Sequence, residues 1–162
     1  RGDATVELRN APPGTFILGY GTDGQTLVWA EGLDPQNVDG DAVYASVTLY
    51  TAPFTTDPAA LTPAAIAALP NHSDGLFSGF EVANGYTIIP YGATAATGVP
   101  AARLVRLSDG AQWEVTPPEG QNWRYHYYPA AEHVWMTTGR APGGAITTDI
   151  TRLRIADLAP VP

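Results

Sequence analysis

Cysteine is absent from this chain, which removes disulfides, thiolate metal sites, cysteine-ligated iron-sulfur clusters and a cysteine nucleophile. Lysine is absent as well: all eight basic residues are arginine, so no side-chain amine exists for a Schiff base or a P-loop. No run of about 18 apolar residues occurs, so no helical membrane span is expected. Between residues 10 and 102 there is no basic residue, while Asp23, Glu31, Asp34, Asp39, Asp41, Asp57, Asp74 and Glu81 place eight negative charges there. Arg1 and Arg9 balance Asp3 and Glu7, and six arginines balance six acids from 103 onward, so the whole net charge of -8 belongs to that span. A field of this sign disfavours nucleic acid and anionic membrane surfaces as partners. There is no Gly-x-Ser-x-Gly elbow either; Ser78 stands in Phe-Ser-Gly without that frame.

What is present is turn-rich and repetitive. The 162 residues suit one domain, and the 17 glycines and 15 prolines fall between short apolar runs, as turns between strands do. Residues 16 to 32 read FILGYGTDGQTLVWAEG, and the same seventeen-residue frame returns as LFSGFEVANGYTIIPYG at 76 to 92 and WRYHYYPAAEHVWMTTG at 123 to 139. An aromatic holds the fifth place of each copy (Tyr20, Phe80, Tyr127), a turn the middle, and a glycine the end (Gly32, Gly92, Gly139). Each copy reads as a β-hairpin, most clearly the second, whose turn carries Asn84-Gly85.

Around these hairpins the spacing predicts further strands. Residues 4 to 9 and 42 to 51 alternate in the strand period, the latter with Val43, Ala45, Val47 and Leu49 on one face. Residues 103 to 107 and 111 to 116 flank Ser108-Asp109-Gly110 as another hairpin, and 150 to 158 closes the third unit. Residues 57 to 70 read as a short helical insertion: Asp57-Pro58 and Thr62-Pro63 are cap-then-first-turn signals, and Ile66 and Leu69 lie on one side of an alanine-rich stretch. The tail 159 to 162 has linker character. The expectation is one all-β domain of three four-stranded units, 16–56, 76–116 and 123–158.

The segment WEVTPPEGQNW at 113 to 123 mirrors VELRNAPPGTF at 6 to 16, each an outer strand, a proline-rich turn and the aromatic entry to an inner hairpin. This pattern resembles a β-propeller, in which four-stranded blades repeat around an axis. It is similar to divergent propellers of the TolB or lactonase kind, and lacks the Trp-Asp dipeptide of WD40 blades. The resemblance implies that strand 4–9 completes a blade, of a partner or of its own chain, since the third unit lacks an outer strand. A β-sandwich is the alternative fold. The chain begins at Arg1 without a charged-then-apolar leader, as expected of a processed product or fragment, and its lysine-free, Ala/Thr/Pro/Gly-rich composition suggests an exported protein.

Chemistry-bearing residues are few. Asp34, Asn37, Asp39 and Asp41 gather oxygen ligands around a glycine, which suits calcium, although Pro35 stands where an EF-hand register wants an acid; a solvated acidic turn is the competing reading. His126 and His133, with Glu132, form a conceivable transition-metal set on the two arms of the third hairpin, against which Arg124 argues by charge. Arg124, His126 and Tyr128 are the candidate ligand-binding residues, one face of an aromatic strand whose other face packs inward. Arg103, Arg106, Arg152 and Arg154 are expected to pair with acids inside the fold. The functional expectation is a non-catalytic binding or assembly module whose partner is another protein or a second copy of itself. The alternatives are a calcium-dependent lactonase-like hydrolase, using Glu31, Asp34, Glu81 and Glu132 as the resemblance implies, and a carbohydrate-binding β-sandwich.

Overall fold

The computed structural model describes residues 7–38, 41–70, 72–73, 79–93, 100–118, 122–140 and 147–162. The first unit opens with β1 (Thr15–Thr22) and β2 (Thr26–Leu33), a hairpin whose turn is held by Asp23: its Oδ1 accepts from the backbone N–H of Gln25 at 2.9 Å and of Thr26 at 2.7 Å. The acidic loop then forms a small hairpin of β3 (Gln36–Val38) and β4 (Asp41–Val43), and β5 (Ser46–Pro53) and β6 (Ala64–Leu69) complete the unit. A two-residue strand, β7 (His72–Ser73), pairs with β4. The second unit is β8 (Glu81–Ala83), β9 (Tyr86–Ala93), β10 (Pro100–Arg106) and β11 (Gln112–Val115). The third is β12 (Asn122–Pro129), β13 (His133–Arg140) and β14 (Thr147–Arg154), and the chain ends in β15 (Ala159–Val161).

All pairings are antiparallel, in the orders β1-β2-β5-β6, β15-β11-β10-β9-β8 and β12-β13-β14, with β3-β4-β7 as a small fourth sheet. The protein is all-β, and none of its sheets closes into a barrel. The three large sheets stack in chain order. Val28, Ala30, Val47, Leu49 and Leu69 of the first pack against Phe80, Val82, Ile89 and Val105 of the second. On its other face, Ile88, Ala102, Leu104 and Val115 of the second sheet meet Tyr127, Val134 and Met136 of the third, with Ile155. Neighbouring residues on β9 and β10 thus serve opposite cores, as the two-residue strand period requires. The second sheet packs against another sheet on both faces, and among the described residues each of the outer two does so on one.

Where inner strands meet, backbone approaches backbone. The Phe80 N–H donates to the Tyr20 carbonyl at 3.1 Å, and a Cβ at Gly21 would collide with the Phe80 carbonyl. The turn of the second hairpin links the second sheet to the third, because Asn84 Nδ2 donates to the Pro129 carbonyl at 3.0 Å. Asn84 and Gly85 both lie in the left-handed region, at φ 54° and 79°, as a type I′ hairpin turn demands. Gly85→Ala is therefore expected to destabilise the fold by about 1 kcal/mol, measured as a lowered urea midpoint at unchanged slope.

Four sequence expectations are corrected. The helical insertion over 57–70 is a single 3-10 turn, Pro58–Ala60, followed by the strand β6. Asp57 does cap that turn, its Oδ1 accepting from the Ala59 N–H at 3.0 Å. Ala64–Leu69 extends because pairing with β5 satisfies its backbone and buries Leu69, whereas an isolated helix of two turns is marginal in water. The strand expected over 42–51 is two strands: Val43 pairs with Gln36 in the small sheet, and the chain breaks at Tyr44-Ala45 before β5 begins. The tail is no linker, since Pro160 and Val161 register against Trp113 and Gln112 on the edge of β11. Of the strand expected over 4–9, residues 1–6 lie outside the described residues, and Glu7 to Arg9 are not in a strand.

Candidate interaction surface

The acidic loop expected to hold calcium is only partly described. Asp34 takes a left-handed conformation at φ 48°, and its N–H donates to the Gly14 carbonyl at 2.8 Å, which ties the loop to the Pro12-Pro13-Gly14 turn. Asn37 and Asp41 lie on the two arms of the β3–β4 hairpin, with Asn37 registered opposite Ala42. Asp39 lies outside the described residues, as does the side chain of Asp41. Among the described residues, no three His, Cys, Asp or Glu side chains gather closely enough to hold an ion. His126 and His133 are not opposed as the hairpin frame suggested: Tyr128 registers with Trp135, and the Ala130 N–H donates to the His133 carbonyl, so the two imidazoles sit at different levels of the sheet.

Glu31, a candidate catalytic acid by the lactonase likeness, is buried in an ion pair. Arg9 Nε donates to its Oε1 at 2.8 Å and Arg9 Nη2 to its Oε2 at 3.1 Å, while Trp29 Nε1 donates to Oε1 at 2.8 Å. Burial pushes the carboxyl up, but the hydrogen bonds from Arg9 and Trp29 and the charge of the guanidinium outweigh it, and the group titrates below its ordinary value. Trp29 stacks on Tyr50 at 5.6 Å between centroids, so Arg9, Trp29, Glu31 and Tyr50 form one assembly on the outer side of the first sheet. Sequence reasoning missed this partnership. Its available signal was Trp29 and Glu31 two apart on one strand face, with Arg9 the nearest arginine.

Of the four arginines expected to pair with acids, Arg106 and Arg154 do. Arg106 and Arg154 form bidentate pairs with Asp109 and Asp157 three residues on, and Arg103 donates to Gln112 Oε1 at 3.2 Å. Arg152 instead lies over the Trp135 ring, 5.6 Å from its centroid.

The ligand-binding candidates fall on the outer face of the third sheet. Arg124 is on β12, with its side chain outside the described residues. His126 and Tyr128 are exposed, and with Trp135, Thr137 and Ile150 they line a hollow of about 140 Å³. Tyr128, Trp135 and Arg152 form one cross-strand row, flanked by Thr137 paired with Ile150. Ile150 and Trp135 are the members that sequence reasoning overlooked. The bulge between Trp123 and Tyr127 shifts β12 against β13 and brings Tyr128 level with Trp135.

A larger cleft of about 760 Å³ opens between the first and second units, lined by Gln25, Thr26, Thr51, Asn84, Tyr86 and Arg106 among others. Among the described residues its lining holds no carboxylate and no imidazole, and its one cation there, Arg106, is engaged by Asp109. No described helix is long and apolar enough to cross a membrane. No family model matches the chain, and no curated protein or solved structure matches it either.

Proposed function

We propose that this chain is a non-catalytic binding and assembly module: a segment of stacked blades of the β-propeller kind that makes protein-protein contacts through the end faces of its stack. The observation that carries this reading is the outer face of the third sheet, where Tyr128, Trp135 and Ile150 are all exposed on neighbouring strands. Large apolar side chains contiguous on one sheet face mark an interaction surface, whereas single exposed ones do not. Tyrosine, tryptophan and arginine are also the residues that dominate binding energy at protein interfaces. The carbohydrate reading gains less from the same face, because Arg152 already covers one side of the Trp135 ring on which a sugar would stack.

The test is a selection of random displayed peptides on the immobilised chain. Peptides rich in aromatic and aliphatic residues are expected, with binding lost in Trp135→Ser and retained in Glu81→Ala. Peptides indifferent to Trp135→Ser would sink the reading. So would turnover of lactones or esters, with calcium supplied, that disappears in Glu81→Gln or Glu132→Gln.

A further inference from the structure

The packing of the second sheet on the first and of the third on the second uses equivalent positions of the repeat. In the seventeen-residue frame the fifth position faces the preceding sheet: Phe80 buries against the first sheet and Tyr127 against the second, each 5 % exposed. Their equivalent in the first unit is Tyr20, on which no described sheet packs and which is 68 % exposed. Tyr20 registers with Trp29, which holds the frame position at which Ile89 and Met136 bury against a preceding sheet and is here covered within its own unit, 3 % exposed beside Glu31 and Tyr50. At the opposite end, Trp135 holds the position at which Val28 and Ile88 bury against a following sheet, yet is 40 % exposed. Ile150, paired with Thr137, matches Leu49, paired with Ala30, and Ala102, paired with Pro90. Leu49 and Ala102 are both 0 % exposed, and Ile150 is 79 % exposed. Among the described residues, no sheet packs on the Tyr20 side of the first sheet or on the Ile150 side of the third.

We infer that a second copy of this chain occupies these faces, head to tail, with the outer face of its first sheet, Ile17, Tyr20 and the Trp29 assembly, seated on Tyr128, Trp135 and Ile150 of the third. This rests on the protein-binding reading above and names its partner. The occupant follows from the repeat: the relation that places the second sheet on the first, and the third on the second, places a first sheet on the third when applied once more. The contact is heterologous, so its repetition closes a ring if the rotation permits and otherwise extends.

The experiment is sedimentation of the full chain from micromolar to millimolar concentration, alone and with two end-blocked variants, Tyr20→Asp and Ile150→Asp. Both side chains are exposed, so circular dichroism and melting should match the parent. The parent is expected to associate with rising concentration, each variant alone to remain a single chain, and an equal mixture to form a dimer and stop there, because each variant keeps the face the other lacks. A parent that stays monomeric throughout overturns the proposal. If peptide binding through Trp135 persists in such a monomer, the face serves a different protein and the broader reading survives. Association abolished by only one variant would mean a face pairing with itself, and would overturn the head-to-tail arrangement.

Discussion

Leu104→Ala should cost about 3 kcal/mol of unfolding free energy. Leu104 sits in the middle of β10 and is fully buried between Ile88, Val115 and the third sheet. Removing its isobutyl group takes away the transfer free energy of the lost carbons and leaves a cavity, because strands held by ladders on both sides cannot close the gap. β10 is flanked by β9 and β11, so no edge is free to move inward. Urea denaturation followed by tryptophan emission should show a midpoint well below the parent at unchanged slope. Ile150→Ala is the control: also an aliphatic truncation, but on an exposed face, and worth within about 0.5 kcal/mol for the isolated chain. If the two variants lose stability equally, the placement of the core in the second sheet is wrong.

How much of this fold was legible depends on whether a strand's reason for existing lay within its own residues. The hairpins were legible because alternation and a glycine-bearing turn sit side by side: Asn84-Gly85 specifies its turn locally, and the structure has both residues left-handed. β6 was not, because AAIAAL favours helix on intrinsic propensity and becomes a strand only through the free edge that β5 offers. β15 failed for the same reason. Ala159-Pro160-Val161 carries no strand signal, and a proline is tolerated there because β15 is an edge strand. The break between β4 and β5 depends on a small sheet that His72 and Ser73 close from far along the chain. Candidate sites followed the same rule. That His126 and Tyr128 share a face came from period two alone, but the presence of Trp135 and Ile150 beside them needed the register of three strands and the bulge in β12. Glu31 was legible as an acid and illegible as a partner, because Arg9 reaches it across 22 residues of chain.

That pair yields the second large effect: Arg9→Leu should destabilise the protein by about 2 to 3 kcal/mol near pH 7, and the penalty should shrink on acidification. Glu31 is 6 % exposed, and without the guanidinium the side-chain donor left to it among the described residues is Trp29, so a charged carboxylate would be left buried with most of its compensation gone. In the parent, the folded-state pKa of Glu31 lies below its ordinary value of 4.5. Its contribution is therefore fully present above that value and is lost as pH falls through the depressed folded pKa. In the variant the sign reverses, because burial without Arg9 raises the pKa above the unfolded value, and protonation relieves the folded state. The stability difference between parent and variant should thus be widest near neutrality, begin to narrow as pH falls through the variant's raised pKa, and narrow further below 4.5 as the parent's carboxylate protonates, read from urea midpoints across the range. Arg9→Leu combined with Glu31→Gln should recover most of the loss, since the amide oxygen still accepts from Trp29 and no charge is buried. A penalty that stays constant down to acid pH, or a double variant as unstable as Arg9→Leu alone, would mean that Arg9 acts through packing of its aliphatic stem and not through Glu31.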